Sequence, residues 1–224
     1  MIDIMQQEEI LTAIGKIIPK KLFVYAIGGT AMMLRSIKNS TFDVDFVFDN
    51  EIDRSHFILA LKRLGAKEAD TKTVYWLKGN MPIMLEFENC RFDLFMNKII
   101  SSRFSEKMKE RASQIHEFGN LIVKVADPHD ILIMKSVTSR AKDLSDIINI
   151  INKNPINWSI IIEEVKKQVA LGSERAILTL GEKLERLSNQ KAIAVPRVVL
   201  DEFWKLLEGQ IQEKKEDSRR KEKR

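Results

Sequence analysis

A short apolar run broken by two glycines, followed by acids that alternate with large apolar residues, limits this chain more than any other feature. Residues 22–27 are almost continuously apolar, and Gly28-Gly29 ends the run. A little further on stands Thr41-Phe42-Asp43-Val44-Asp45-Phe46. A continuous apolar run reads as a buried strand. On a strand, residues i and i+2 share a face. Asp43 and Asp45 therefore project together, with Phe42, Val44 and Phe46 on the other side. Two carboxylates held this way repel and need a cation between them, which makes the pair a candidate metal site.

The pattern of elements changes once along the chain. Residues 3–17 carry apolar positions at helical spacing, and Pro19 stops them. Thr30 is a candidate cap for a short helix over residues 31–37. Residues 41–48 form the second strand, and Asp53 is a candidate cap for a helix that Gly65 ends. Further strands are expected at 73–77, 83–87, 91–95, 115–118 and 121–125, with turns at Gly79-Asn80 and Gly119-Asn120 and a helix at 105–112. Asp127-Pro128 then opens helical patterns only, at 131–138, 142–152, 158–170, 174–188 and 197–212. Strands mixed with helices, then helices alone, predict an α/β (α+β) domain over residues 1–126 and an all-helical domain over 127–212. Residues 213–224 read as a charged tail, either a frayed helix end or disordered.

With 224 residues, 44% of them hydrophobic, the chain can bury a core. Cys90 is the only cysteine, so no intrachain disulfide forms, which fits a cytoplasmic location. No apolar run approaches the roughly 20 residues that span a bilayer, and Met1-Ile2-Asp3 has neither the basic start nor the apolar stretch of a leader. No membrane partner is expected. The net charge is +5, but residues 213–224 hold seven Lys/Arg against four Asp/Glu, so +3 of it lies there. Basicity of that origin does not make a broad nucleic-acid face.

The order apolar-Gly-Gly, then Asp-apolar-Asp-apolar, then Asp93 between Phe92 and Leu94, resembles the nucleotidyltransferase superfamily of the DNA polymerase beta type. Within it the chain resembles the small prokaryotic abortive-infection toxins and their uncharacterised relatives. Those proteins also have a helical C-terminal half, and a lysine ahead of a short basic-Asp segment. Here that part reads Lys135, then Arg140-Ala141-Lys142-Asp143-Leu144-Ser145-Asp146, and the resemblance covers about residues 20–150.

The resemblance implies a small mixed sheet flanked by helices, followed by a helical domain. It also implies transfer of a nucleoside monophosphate from an NTP such as ATP to a hydroxyl, with release of pyrophosphate. Such a reaction is dominated by positioning and electrostatics. Two Mg²⁺ ions can clamp the attacking and leaving oxygens, with Mn²⁺ as a substitute, and carboxylates suit them. Asp43, Asp45 and Asp93 are the implied catalytic ligands, Asp93 nearest the acceptor hydroxyl. Gly28 and Gly29 let backbone approach a triphosphate closely, and the amides at Gly29, Thr30 and the following helix start, with the Thr30 hydroxyl as a further donor, suit its oxygens. Lys135, Arg140 and Lys142 are the implied cations around it. The acceptor stays open between tRNA or another RNA and a small molecule, and the likeness to toxins adds a cognate antitoxin protein as partner. The alternative is a nucleotide-binding module without turnover, one half of a toxin–antitoxin pair.

Other readings compete at single positions. Glu86 and Glu88 alternate with Leu85 and Phe87 and rival Asp93 as the third carboxylate, although an exposed strand face explains them. Lys135 reads equally as a solvated lysine, and Asp143 and Asp146 as first-turn acids favoured by the helix dipole. Arg35 is a surface charge or a phosphate contact. His56, His116 and His129 have no metal spacing with one another or with Cys90. Trp76, Trp158 and Trp204 read as core.

Overall fold

The first acid in the chain already closes a helix end. In a computed structural model, which describes residues 1–70, 81–99, 102–138 and 140–222, β1 (Ile2–Asp3) leads into α1 (Ile4–Ile17). Asp3 accepts from the Gln6 amide at 2.9 Å while the Gln6 side chain accepts from the Asp3 amide at 3.1 Å, a reciprocal capping box. Then come β2 (Leu22–Ala26), α2 (Gly28–Leu34), β3 (Ser40–Thr41), β4 (Asp43–Phe48), α3 (Glu51–Arg63) and β5 (Lys67–Glu68). After residue 80 follow β6 (Ile83–Phe87), β7 (Cys90–Met96), β8 (Lys98–Ile99), β9 (Ser102–Arg103), α4 (Glu106–Arg111), β10 (Gln114–Phe118) and β11 (Leu121–Val125). The remaining elements are α5 (Pro128–Ser136), α6 (Ala141–Lys153), α7 (Trp158–Ala170), α8 (Ala176–Asn189) and α9 (Arg197–Glu222).

Among the described residues seven strands form one mixed sheet in the order β10-β11-β2-β4-β7-β6-β5. The β11–β2 and β4–β7 pairs are parallel and the other pairs antiparallel. Alternation decides which face is core. Val44, Phe46 and Phe48 of β4 are buried, together with Phe92 and Leu94 of β7 and Val24 and Ala26 of β2. Helices α1 and α3 pack against the sheet. Phe57 of α3 meets Phe46 and Phe48 edge-on at centroid distances of 5.5 and 5.4 Å. The opposite face carries the acids.

Several expected boundaries move. Phe42 lies in a bend between β3 and β4, 61% exposed, so it is not part of the buried face with Val44 and Phe46. Helix α2 starts at Gly28 with Ile27 as its cap, not after Thr30, which is buried inside it. Asn50 rather than Asp53 caps α3, its side chain accepting from the Asp53 amide at 2.8 Å. Trp158 and Trp204 are half-buried rather than core. The expected strand 73–77, the Gly79-Asn80 turn and Trp76 lie outside the described residues.

The chain divides into two compact units, Met1–Met134 and Lys135–Arg224, the division falling within α5. In the second unit α7 packs on α8 and α8 on α9. Its core holds Ile147, Ile150, Ile161, Val165, Leu180, Leu184 and Phe203. Gly181 faces Phe203, where an added Cβ would make an ordinary van der Waals contact at 3.5 Å. Helix α9 continues to Glu222, so the charged stretch from residue 213, expected as a frayed helix end or as disordered, is helical through that point. Glu, Lys and Arg are good helix formers. No described helix is long and apolar enough to cross a membrane.

Candidate active site

The acid-bearing strand is fixed by two glycines and two threonines. Gly28 has φ +56°, in the left-handed region that side chains disfavour. A Cβ on it would lie 2.5 Å from Asp45 Oδ2, so the Asp45 carboxylate packs directly against the glycine backbone. A Cβ on Gly29 would collide with the Thr41 hydroxyl. The start of α2 thus sits flush against β3 and β4. The Thr30 hydroxyl accepts from the Asp45 amide at 2.8 Å and donates to the Asp43 carbonyl at 3.4 Å. Thr41 donates to the same carbonyl at 3.1 Å. The Thr30 hydroxyl, expected at a triphosphate, is here fully buried and ties α2 to β4.

Register then assembles the acids. Across the parallel β4–β7 pair, Asp43 stands beside Arg91 and Asp45 beside Asp93. Residues in register share a face, so all four side chains project from one side of the sheet. Glu86 on β6 is the register partner of Arg91 and shares that face, but it is exposed, and Glu88 sits in the β6–β7 turn at φ 52°. Asp93 is the acid placed next to Asp45.

Arg91 was not singled out from the sequence, and it organises the cluster. Its Nε donates to Asp93 Oδ1 at 2.7 Å and its Nη2 to Asp93 Oδ2 at 2.9 Å. The same Nη2 lies 2.9 Å from Asp43 Oδ1. One guanidinium therefore grips both oxygens of one carboxylate and reaches a second, the planar fork geometry that arginine suits. The Asp93 side chain is 1% exposed and that of Arg91 21%. A signal was available: Arg91 stands two before Asp93, and on a strand that spacing puts both on one face.

Three carboxylates on one face offer the hard oxygen ligands that magnesium takes, so the donor chemistry fits that ion. As placed, however, no three Asp, Glu, His or Cys side chains among the described residues are close enough together to hold one metal. The Arg91 fork lies between Asp43 and Asp93.

The expected cations of the helical half have local partners. Lys135 Nζ lies 2.9 Å from Asp143 and 2.7 Å from Asp146. Arg140, half-exposed, donates from Nε to Asp143 at 2.8 Å, and Lys142 is exposed on α6. Lys183 of α8, also missed from sequence, donates to the carbonyls of Ser136 and Thr138 and so caps the end of α5. In the first unit, Arg35 donates to the carbonyls of Ala126 and Val125 at 2.7 and 3.2 Å, joining the end of α2 to the end of β11. His129 lies against Asp127, which caps α5, and His116 stacks on Phe118.

Residues 5–180 match the family described as nucleotidyltransferase of unknown function (DUF6036). No curated protein matches the chain. Several solved structures are similar to it. One is ANT(2'')-Ia in complex with adenylyl-2''-tobramycin, at 13% identity and TM-score 0.48, covering 81% of this chain and 98% of that one. Another is an antigenic nucleotidyltransferase-like protein from Paracoccidioides brasiliensis, at 15% identity and TM-score 0.49, covering 88% and 98%.

Proposed function

The chain belongs to that family of nucleotidyltransferases, and from this we propose a magnesium-dependent enzyme that moves a nucleoside monophosphate from an NTP to an acceptor hydroxyl and releases pyrophosphate. The observation that carries the reading is the register of β4 on β7, which sets Asp93 beside Asp45 on the face that also bears Asp43. These three carboxylates are the proposed holders of magnesium, which when bound offsets charge on phosphate oxygens and activates the acceptor oxygen. Gly28, half-buried, brings the backbone at the start of α2 against the Asp45 carboxylate, beside the proposed place of the triphosphate, and Gly29 makes room for the Thr41 hydroxyl. Thr30 contributes by holding the acidic strand in place. Asp93, the most buried of the three, stands on the far side of Asp45 from Gly28, which supports its proposed role toward the acceptor hydroxyl.

The test is transfer of label. The protein is incubated with each α-labelled NTP, ATP first, with Mg²⁺ and either total RNA or a panel of small hydroxyl compounds. Transfer is expected to fall by at least about a hundredfold in the Asp43→Asn, Asp45→Asn double variant, the scale on which loss of charge stabilisation acts. Label in RNA identifies an RNA acceptor, and label in a small compound the other class. Nucleotide binding with no transfer to any acceptor or to the protein itself would refute turnover and favour a silent module acting with a protein partner.

A further inference from the structure

We infer that Arg91 and a divalent cation compete for the same carboxylate oxygens, so that metal binding releases the guanidinium from Asp43 and Asp93. The inference rests on the metal-dependent reading above. Arg91 already engages both oxygens of Asp93 and Oδ1 of Asp43, at 2.7 to 2.9 Å. An ion taking those oxygens would sit within a few ångströms of a permanent positive charge, at about 3 Å separation a repulsion that stays large even at high effective dielectric. With the fork in place, no three acids among the described residues converge on one point. Something has to move for them to share an ion. The Thr30 and Thr41 hydroxyls hold the backbone of Asp43 and Asp45 in place, while the Arg91 guanidinium ends a long side chain with many rotamers and can swing away. The arginine offsets carboxylate repulsion and keeps the strands in register, and it lowers the apparent metal affinity by the share of molecules in which it is docked. Arg91 is thus a positioning residue that sets how much cation the site needs.

Manganese alone is the probe, titrated into the full chain and followed by the loss of the free-ion paramagnetic signal. Arg91→Gln is expected to bind Mn²⁺ about tenfold more tightly than wild type, as removal of a docked competitor predicts. Arg91→Lys, which restores the charge, is expected to fall back toward wild type. A second readout needs no variant to fold well. In wild type the Arg91 Nε–H, donated to Asp93, gives an NMR signal expected to shift or vanish on saturation with Mg²⁺. Manganese bound by wild type and lost in Asp45→Asn, but bound no more tightly by Arg91→Gln, would overturn the competition while leaving the metal site standing. An Nε–H signal unmoved at saturating Mg²⁺ would overturn it equally. Manganese bound by neither wild type nor Arg91→Gln would overturn both the competition and the metal-dependent reading.

Discussion

Lys135 is buried, and two carboxylates meet its ammonium. Burial alone would push the Lys135 pKa down, but Asp146 and Asp143 outweigh it and hold it up. Burial likewise pushes the Asp143 carboxyl up, and Lys135 with hydrogen bonds from Arg140 and Thr138 overrides it, leaving a pKa of about 2 against an ordinary 3.8. The charged Asp143 therefore stabilises the fold fully above pH 3.8, where the unfolded chain is also ionised. As pH falls through the window from 3.8 to about 2, the unfolded chain takes up a proton that the folded one resists, and the contribution fades. The shift corresponds to about 2 kcal/mol. Asp143→Asn is expected to cost about 3 kcal/mol at pH 7, because it leaves a buried ammonium with one partner fewer. It is also expected to flatten the loss of stability between pH 4 and 2. Denaturant melts at pH 7, 5, 4 and 3 check both, and an unchanged acid slope in the variant would sink the assignment. A lysine committed in this way explains the buried position of Lys135 without any phosphate.

At the scale of elements, α1 shows how a small residue fixes a docking angle. Gly15 lies inside the helix, and a Cβ there would fall on the Phe118 carbonyl oxygen at the end of β10. The Asn120 amide donates to the Gly15 carbonyl at 3.1 Å, so the β10–β11 turn is bonded to the same spot. Gly15→Ala gains about 1 kcal/mol in helix propensity. Against it stands overpacking of about 1–3 kcal/mol, at the upper end here because the obstructing atom is backbone and cannot rotate away. Net destabilisation is expected, read as a lower midpoint in urea at unchanged slope, and a stabilised variant would refute the contact. Much of this architecture was legible. The alternation through Asp43, Val44, Asp45 and Phe46 is local, and so is the Asp127-Pro128 helix start. Helix starts were harder, since Thr30 and Asp53 both have capping chemistry. Thr30 instead found the backbone of β4, and Asn50, three positions ahead of Asp53, took the other cap. Register was out of reach, because the pairing of Asp45 with Asp93 joins distant parts of the chain. The spacing of Arg91 and Asp93 was local and legible, whereas the reach of Arg91 to Asp43 needs the β4–β7 register.

Across the whole molecule, the two compact units carry different ionic anchors, Arg91 with Asp43 and Asp93 in the first, Lys135 with Asp143 and Asp146 in the second. The family match, residues 5–180, runs through both. A ligand stabilises what binds it, by about 2.7 kcal/mol at a hundred times its dissociation constant, and stability within one chain need not be uniform. If the first unit alone holds the cation, manganese should slow amide exchange in β4, β7 and β2 by about a hundredfold wherever exchange needs that unit to open. Amides of α7 and α8 should then exchange at their metal-free rates. Hydrogen exchange read by mass spectrometry on the full chain, with Mn²⁺ and with Ca²⁺ as a larger ion of the same charge, makes the comparison. Equal slowing in α7 and α8 would mean that the two units open as one, and that the second depends on the cation even though its Asp143 and Asp146 are taken by Lys135. Slowing confined to α7 and α8 would place the cation in the helical unit and contradict the assignment to Asp43, Asp45 and Asp93.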